Sequence, residues 1–453
     1  MKGQDAYMDT PIYSRLKAVS GADRVPFAMP GHKNSRGLAG DLVYLDMTEL
    51  ECGVDLLHES DEVKAANSLL RDFYGTRESF ILTGGSTLAI RVMLSSVLRP
   101  GDTLLASSDC HKSVINTCAI CGFRVRVIPV GFDTDMCVPL GIGDPEITED
   151  VKAVLLTSPN YYGVVKDIKR AAEGCQAAGV PLLIDEAHGA HFRASELFPE
   201  SAVSQGADMV CQSAHKTLNA LTGAAYLHIT GDGADPARVR KLIKTFASSS
   251  PSYPIAASAD LARARLAETD YSGIAAMCRE LIVRLERDTY IRVLRNDDIT
   301  RLVLNFSEYD VTGFCVNKAL SENYGIDCEM ADLHNIILIT TPENSQNDFD
   351  RLHAALVDIT KKLRRENNTR IQSPPPATTA TLSPSVFVRT ELVSLDRAVG
   401  RTAATAVAAY PPGTAIIFPG EIIRRESIDY VRELIAAGVV PEGIYKGMAE
   451  VVI

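Results

Sequence analysis

The stretch LLIDEAHGAHF, from Leu182 to Phe192, joins an apolar run to acids and histidines and sets the fold class. Its apolar start is typical of a strand that is buried on both faces of a sheet. Similar runs recur along the chain, several separated by helical segments with one apolar face. The predicted strands are Phe80–Thr83, Thr103–Ser107, Arg124–Val130, Ala153–Ser158, Pro181–Ala187, Met209–Ser213 and Ala224–Ile229. This alternation predicts an α/β domain with a mostly parallel sheet, which binds ligands beyond the carboxyl ends of its strands.

The rest of the chain divides into smaller units by composition and pattern. Residues 1–70 are predicted to form an N-terminal arm, and residues 71–296 form the large domain. The strand and helix pattern restarts in residues 297–365, which predicts a smaller α+β domain. Residues 366–384 are rich in Pro and Thr and are predicted to be a linker, so residues 385–453 form a short C-terminal domain.

Bulk composition narrows the class of function. The chain has 453 residues, of which 46% are hydrophobic and 23% charged, as expected of a soluble globular protein with two or three domains. Its net charge of −11 argues against a nucleic-acid partner, because binding phosphates needs clustered Lys and Arg. The polar N-terminus, the lack of a long apolar run and the scattered cysteines predict a cytoplasmic protein with no membrane segment and no disulfide framework.

Four features at the ends of predicted strands carry the candidate chemistry. The first is LTGGSTLAI, Leu82 to Ile90, where a glycine turn leads through Ser86 and Thr87 into a helix. Free backbone N–H groups at a helix start favour a phosphate dianion, although a simple helix cap explains the same residues. The second is DCHKSV, Asp109 to Val114, where His111 is placed either to stack on an aromatic ring or to cap a helix.

The third feature is Asp185, at the end of its strand. A buried carboxylate needs a cationic partner, because burying a lone charge is costly. A protonated pyridine nitrogen would serve, and so would one of the chain's own Lys or Arg residues. The neighbouring Glu186, His188 and His191 also allow a metal site, but their spacing matches no zinc-binding helix motif, and no metal is predicted.

The fourth feature is Lys216, which lies between two predicted strands in CQSAHKTLNALTGAAYLHI, Cys211 to Ile229. A lysine in such a cavity has a lowered pKa and attacks aldehydes, whereas a lone lysine after a strand is usually a solvated surface charge. Along this chain, a turn suited to phosphate is followed by a histidine able to stack on a ring, then by a carboxylate, and then by a lysine. Together they predict an enzyme that uses pyridoxal 5'-phosphate (PLP), with Lys216 carrying the cofactor as a Schiff base.

These motifs resemble those of the bacterial ornithine/lysine/arginine decarboxylases, which are fold type I PLP enzymes with an aspartate-aminotransferase-like large domain. The resemblance runs along nearly the whole chain. Besides DCHKS and SAHK, it includes TPIYSRLKA (Thr10 to Ala18), MPGHK (Met29 to Lys33), AYPPG (Ala409 to Gly413) and FPGE (Phe418 to Glu421). The chain is most similar to the short arginine-decarboxylase-like members, which lack the N-terminal wing domain.

The resemblance implies a role for each site residue. It gives Lys216, His111, Asp185 and His188 as catalytic residues, with Asp185 at the pyridine nitrogen and His111 stacked on the ring. It also gives further contacts to the cofactor: Ser86, Thr87, Ser213 and His215 at the phosphate, Ala187 under the ring, and Ser249 at the phosphate of the neighbouring subunit. A homodimer with shared active sites is therefore implied.

The implied activity is decarboxylation of a basic L-amino acid, as in polyamine biosynthesis. Arginine (to agmatine) is favoured over lysine (to cadaverine) and ornithine (to putrescine), and Asp46 and Glu49 are candidates for binding the distal cation. Ala214 and the ESDE segment at residues 59–62 depart from the family pattern and leave the substrate open. Two alternatives remain: another fold type I activity, such as an aminotransferase or carbon–carbon lyase, and a non-catalytic regulatory homologue. The context of His111 favours decarboxylation.

Overall fold

The structure is a computed structural model that describes residues 25–27, 55–142, 146–366, 375, 377–408, 415–439 and 441–453. The sequence predictions for Thr10–Ala18, Met29–Lys33, Asp46, Glu49 and Ala409–Gly413 lie outside these residues.

The described strands, in chain order, are β1 Val25–Pro26, β2 Glu78–Leu82, β3 Thr103–Ser107, β4 Arg124–Ile128, β5 Val130–Asp133, β6 Val138–Ile142, β7 Val151–Thr157, β8 Leu182–Asp185, β9 Met209–Gln212, β10 Ala225–Ile229, β11 Arg292–Val293, β12 Arg301–Asn305, β13 Ile326–Asp327, β14 Met330–Ala331, β15 Asn335–Ile339, β16 Thr381–Leu382, β17 Thr390–Ser394, β18 Val407–Ala408, β19 Ala415–Ile417, β20 Ile444–Tyr445 and β21 Met448–Val452. The described α-helices are α1 Asp61–Tyr74, α2 Gly85–Val97, α3 Lys112–Cys121, α4 Ile168–Ala178, α5 Ala214–Thr217, α6 Pro236–Phe246, α7 Tyr253–Leu266, α8 Ser272–Asp288, α9 Gly313–Ala319, α10 Gln346–Lys361, α11 Leu395–Ala398 and α12 Arg425–Ala436.

The large sheet has the strand order β16-β4-β3-β7-β8-β9-β10-β2. Strands β4, β3, β7, β8 and β9 are parallel, and antiparallel pairs complete both sides. Since β10 runs antiparallel to both β9 and β2, strand β2 points the same way as the central five. The carboxyl ends of β2, β3, β7, β8 and β9 therefore meet at one edge, together with the start of β10. The predicted mostly parallel α/β sheet is confirmed.

The central strands are buried on both faces, which explains their continuous apolar runs. Along β3, Leu104 and Ala106 belong to one hydrophobic core and Leu105 to the other. The same alternation places Leu155 of β7 and Leu183 of β8 in the core that contains Leu104. Two layers of helix thus cover the sheet, and its carboxyl edge is where polar residues can gather.

The smaller units are antiparallel. Strands β11, β12, β15 and β14 form a four-stranded sheet, and β17, β21 and β20 form a three-stranded sheet near the C-terminus. Two elements fall in segments predicted as arm and linker: most of α1, and β16, which pairs with β4. Two-residue strands carry too little pattern to be predicted from sequence. Within the described ranges, no helix has both the length and the apolar character needed to cross a membrane.

Candidate active site

A cavity of about 550 Å³ lies at the carboxyl edge of the large sheet. It is lined by nine of the ten predicted site residues: Ser86, Thr87, His111, Asp185, Ala187, His188, Ser213, His215 and Lys216. The tenth, Ser249, is exposed in the loop between α6 and α7. Its predicted contact is with a neighbouring subunit, so it stays a prediction.

The turn between β2 and α2 forms one end of the cavity. Gly85 has φ +67°, a conformation that favours glycine, and the backbone N–H of Gly85 donates to Gly223 O at 2.8 Å. The helix is capped by Gly84 without a side-chain hydrogen bond, so Ser86 and Thr87 do not serve as the cap. Instead the Ser86 hydroxyl bonds the Ser213 hydroxyl at 2.7 Å. Hydroxyls and helix-start N–H groups at one point suit a phosphate.

His111 caps α3 and also lines the cavity. Its Nδ1 accepts the backbone N–H of Ser113 at 3.2 Å, so the ring proton of the neutral imidazole is on Nε2. Burial, helped by the nearby Lys216, lowers the pKa of His111 to about 4. A neutral, flat ring fixed in this way is suited to stacking on another ring, so the observed helix cap is compatible with the stacking role, which stays a prediction.

Asp185 is buried at the end of β8, with 2% of its surface exposed. Its Oδ1 accepts the N–H of Ala187 at 3.1 Å and the Cys211 thiol at 3.6 Å. No cationic side chain of the described residues lies within ion-pair distance of it. Burial raises the pKa of Asp185, and the charge of Lys216 acts in the opposite direction without cancelling this effect.

Lys216 and His188 meet inside the cavity. The Lys216 Nζ lies 2.9 Å from His188 Nε2, and His188 Nδ1 lies 3.0 Å from an Nη of Arg301. Burial lowers the pKa of Lys216, and burial together with Lys216 and Arg301 holds the pKa of His188 well below its usual value. The Tyr161 ring contacts the His188 ring edge-on, with centroids 4.6 Å apart.

Glu186 and His191 point away from this cavity. The Glu186 carboxylate accepts from the Ser201 hydroxyl, the Ala202 N–H and the Gln212 amide at 2.6–2.7 Å. His191 Nε2 pairs with Asp298 at 3.3 Å and packs among aromatic rings. The four residues of the metal alternative therefore do not face one point, and among the described residues there is no group of His, Cys, Asp or Glu able to hold a metal ion.

Four further residues shape the site and were not assigned roles from the sequence. Asp109 lines the cavity and pairs with the buried Lys166 at 2.6 Å. The Tyr161 hydroxyl, at the cavity wall, donates to Glu329. Asp109 and Tyr161 follow buried strands, the same signal that singled out Asp185. Glu329 and Arg301 come from the smaller domain, and no local pattern marks them.

The cavity fits PLP on its own residues. It combines a helix start with hydroxyls, a buried carboxylate without a cation, and an amine with a lowered pKa, which would meet the phosphate, ring nitrogen and aldehyde of that group. An eight-stranded, mostly parallel sheet with the site at its carboxyl edge, followed by a smaller domain, is the architecture of fold type I. The fold and the site together define a PLP enzyme of fold type I.

Comparison with known proteins gives the family. The profile described as Orn/Lys/Arg decarboxylase, major domain, matches residues 10–301, and the C-terminal domain profile of the same family matches residues 358–439. An arginine decarboxylase of Bacillus subtilis is 30% identical over 96% of this chain and 95% of its own length. The chain belongs to the Orn/Lys/Arg decarboxylase family. The predictions of a decarboxylase and of PLP as its cofactor are confirmed.

Solved structures support the fold. The constitutive lysine decarboxylase of Escherichia coli superposes with a TM-score of 0.73 at 18% identity, covering 99% of this chain and 82% of that one. An aspartate aminotransferase of Thermotoga maritima superposes with a TM-score of 0.54 at 14% identity, over 80% of this chain and all of that one. At these identities the likeness concerns the fold, as the aspartate-aminotransferase-like prediction required.

Proposed function

We propose that this chain decarboxylates L-arginine, with PLP bound covalently through Lys216. The observation that carries the proposal is the position of the Lys216 amine, 2.9 Å from His188 Nε2 in a cavity that is also lined by Asp185 and Glu329. Family membership supports the reaction class. The choice of substrate is supported by the Bacillus subtilis relative, which is named an arginine decarboxylase and matches this chain over nearly its full length.

The residues of the cavity have different proposed roles, which follow from their positions. With the cofactor bound, the buried Asp185 would hold a proton on the ring nitrogen, and His111 would stack on the ring. When bound, PLP supplies an electron sink for the pair of electrons left when CO2 departs. His188 contacts the Lys216 amine, so either group can return a proton to the α-carbon of the substrate.

The phosphate end is assigned to Ser86, Thr87, Ser213 and His215. His215 Nδ1 donates to Ala224 O at 2.9 Å, because a carbonyl can only accept. Its Nε2 then donates to a phosphate only when the ring is protonated. Burial lowers the pKa of His215, and a phosphate dianion beside it would act in the opposite direction.

Glu329 is the residue best placed to bind the distal cation of the substrate. It lines the same cavity as Lys216, and its carboxylate accepts a hydrogen bond from the Tyr161 hydroxyl. A carboxylate on the wall of the cavity that holds the Lys216 amine offers a charge-assisted hydrogen bond to a guanidinium. Asp46 and Glu49, predicted for this task, stay predictions.

The assembly and the compartment are also proposals. An exposed serine loop at Ser248–Ser250 is available to a second copy of the chain, which supports a homodimer in which Ser249 reaches the partner's phosphate site. A cytoplasmic location is supported by the cysteines of the described residues, which are all free thiols, as is usual in a reducing compartment.

The test is CO2 release from a panel of arginine, lysine, ornithine and a neutral amino acid by the PLP-loaded protein. Arginine is expected to react fastest. Release from lysine or ornithine alone would correct the substrate, and transamination without CO2 release would overturn the reaction. Lys216→Ala should give no yellow chromophore that borohydride bleaches, so a colour that survives this substitution unchanged would overturn the role of Lys216.

A further inference from the structure

Arg301 is a charged side chain in a fully buried position, which is unusual. It opens β12 of the smaller domain, is 1% exposed, and is among the largest fully buried side chains of the chain. Its guanidinium reaches the large domain, where one Nη lies 3.0 Å from His188 Nδ1 and the other 3.4 Å from Tyr161 O. Gly163 permits this approach, because a Cβ there would meet the Arg301 side chain at 2.9 Å.

The contact with Arg301 fixes the proton position on His188. A guanidinium is always protonated and can only donate, so His188 Nδ1 must accept with its lone pair. The single proton of the neutral ring is therefore on Nε2. That N–H points to the Lys216 Nζ at 2.9 Å, and an amine can accept it only as neutral –NH2. The opposite arrangement, an ammonium donating to Nε2, would put N–H groups of His188 and Arg301 face to face.

We propose that Arg301 is a positioning residue that sets the protonation state of Lys216 through His188. Arg301 holds His188 in the Nε2–H tautomer, and His188 in turn stabilises the neutral amine, which is the form that attacks the cofactor's aldehyde. The inference rests on the proposed role of Lys216. It adds that a residue of the smaller domain prepares the nucleophile of the large domain.

Other charges also act on the Lys216 amine and must be kept constant in any test. The charged and titratable groups that face Lys216 or His188 come from several elements: Asp185, His188, Cys211, His215, His111, Glu329 and Arg301. Loss of any nearby cation would raise the pKa of Lys216 by charge alone. The test must therefore separate action through His188 from action at a distance.

The experiment measures how fast the apoprotein captures free PLP as a function of pH, by following the yellow chromophore. Arg301→Met is expected to move the midpoint of this profile up by about one pH unit, since a hydrogen bond to a charged group is worth about that much, and to slow capture at neutral pH by about tenfold. Arg301→Lys, which keeps the charge, should show a smaller shift. Arg295→Met, an exposed arginine in the loop between β11 and β12, should show none.

The decisive comparison repeats Arg301→Met in a His188→Leu background. If Arg301 acts through His188, most of the further shift disappears there, and only the smaller part that is due to loss of the charge remains. A profile of Arg301→Met equal to that of the parent, or a shift of the same size with and without His188, overturns the proposal. Where Arg301→Met does not fold, Arg301→Lys carries the same comparison in both backgrounds.

A second readout needs no cofactor and no activity. In the apoprotein labelled with ¹⁵N-histidine, the resonances lost in His188→Leu identify His188. They are expected to show an unprotonated Nδ1 and a protonated Nε2, and Arg301→Met should mix the two tautomers. A proton on Nδ1 in the parent would overturn the proposal. If these results hold but no basic amino acid releases CO2, the proposed function fails and the role of Arg301 stands.

Discussion

Asp185 and Glu186 are adjacent acids, equally buried, that belong to two different regions of the molecule. Asp185 faces the cavity at the sheet edge, and within the described part of the chain its hydrogen-bond donors are a backbone N–H and a thiol. Glu186 faces the interior behind the strand, where three donors from Ser201, Ala202 and Gln212 surround it. We call this second region, Glu186 with those three residues, the anchoring cluster.

This difference in hydrogen bonding shows which of the two regions can bind a ligand. In the anchoring cluster every strong donor has its acceptor, so the cluster fixes the loop after β8 and offers nothing to a ligand. In the cavity, burial raises the pKa of the Asp185 carboxyl group and lowers the pKa of the Lys216 amine, so both charged forms are disfavoured. Buried groups left in this state cost stability, and a ligand that completes them recovers it.

The largest effect is expected from Lys216→Ala, which removes the amine of the cavity and leaves the anchoring cluster intact. Activity should fall by several orders of magnitude, because the cofactor loses its covalent attachment. The apoprotein should melt at or slightly above the parent temperature, since a buried amine has been removed. Kinetic assays with added PLP measure the activity, and thermal melts of the apoprotein measure the melting temperature. A large loss of melting temperature would show that Lys216 is structural, like the anchoring cluster.

Substituting the two adjacent acids separates the regions directly. Asp185→Asn keeps the size and should lower kcat by about 10²–10³-fold, the usual cost of losing one electrostatic partner of a reacting group, with little change in melting temperature. Glu186→Ala should do the reverse. It leaves three donors unpaired and should lower the melting temperature by roughly 5–10 °C while the folded protein keeps most of its kcat. Equal losses of kcat from both substitutions would contradict the assignment of Asp185 to the active site and of Glu186 to a structural cluster.

A smaller effect is expected at the cavity wall. Glu329→Gln removes the proposed partner of the substrate's guanidinium and should raise the KM for arginine by about 10- to 100-fold, with less change in kcat. Glu322→Gln, an exposed acid of the same domain, is the matched control and should leave KM unchanged. If Glu329→Gln lowers kcat at constant KM, Glu329 acts on the chemistry rather than on substrate selection.

The sequence was most informative where structure is local. Asp185 at the end of its strand, Lys216 between two strands, the glycine turn before Ser86 and the parallel sheet all follow from patterns within a few residues. The sequence could not separate Glu186 from Asp185, because consecutive residues at the end of a strand point to opposite sides and no motif states which side holds the ligand. Arg301 and Glu329 were missed for another reason. They reach the cavity only because the smaller domain packs on the large one, a contact across more than a hundred residues.

The smallest effect concerns the anchoring cluster and pH. Burial raises the pKa of Glu186 from 4.5 to about 7, against the three hydrogen bonds that lower it. Between these pH values the folded protein holds a proton that the unfolded chain releases, so the contribution of Glu186 to stability is present below pH 4.5 and is lost as the pH rises through about 7. The shift corresponds to about 3 kcal/mol.

Glu186→Gln cannot ionise, so the melting temperature of its apoprotein should fall less than that of the parent between pH 5 and about pH 8, by a few degrees. Glu200→Gln, an exposed acid nearby, should follow the parent. Parallel curves for Glu186→Gln and the parent would mean that the three donors keep Glu186 ionised throughout, and the anchoring cluster would then be a stronger carboxylate site than burial alone allows.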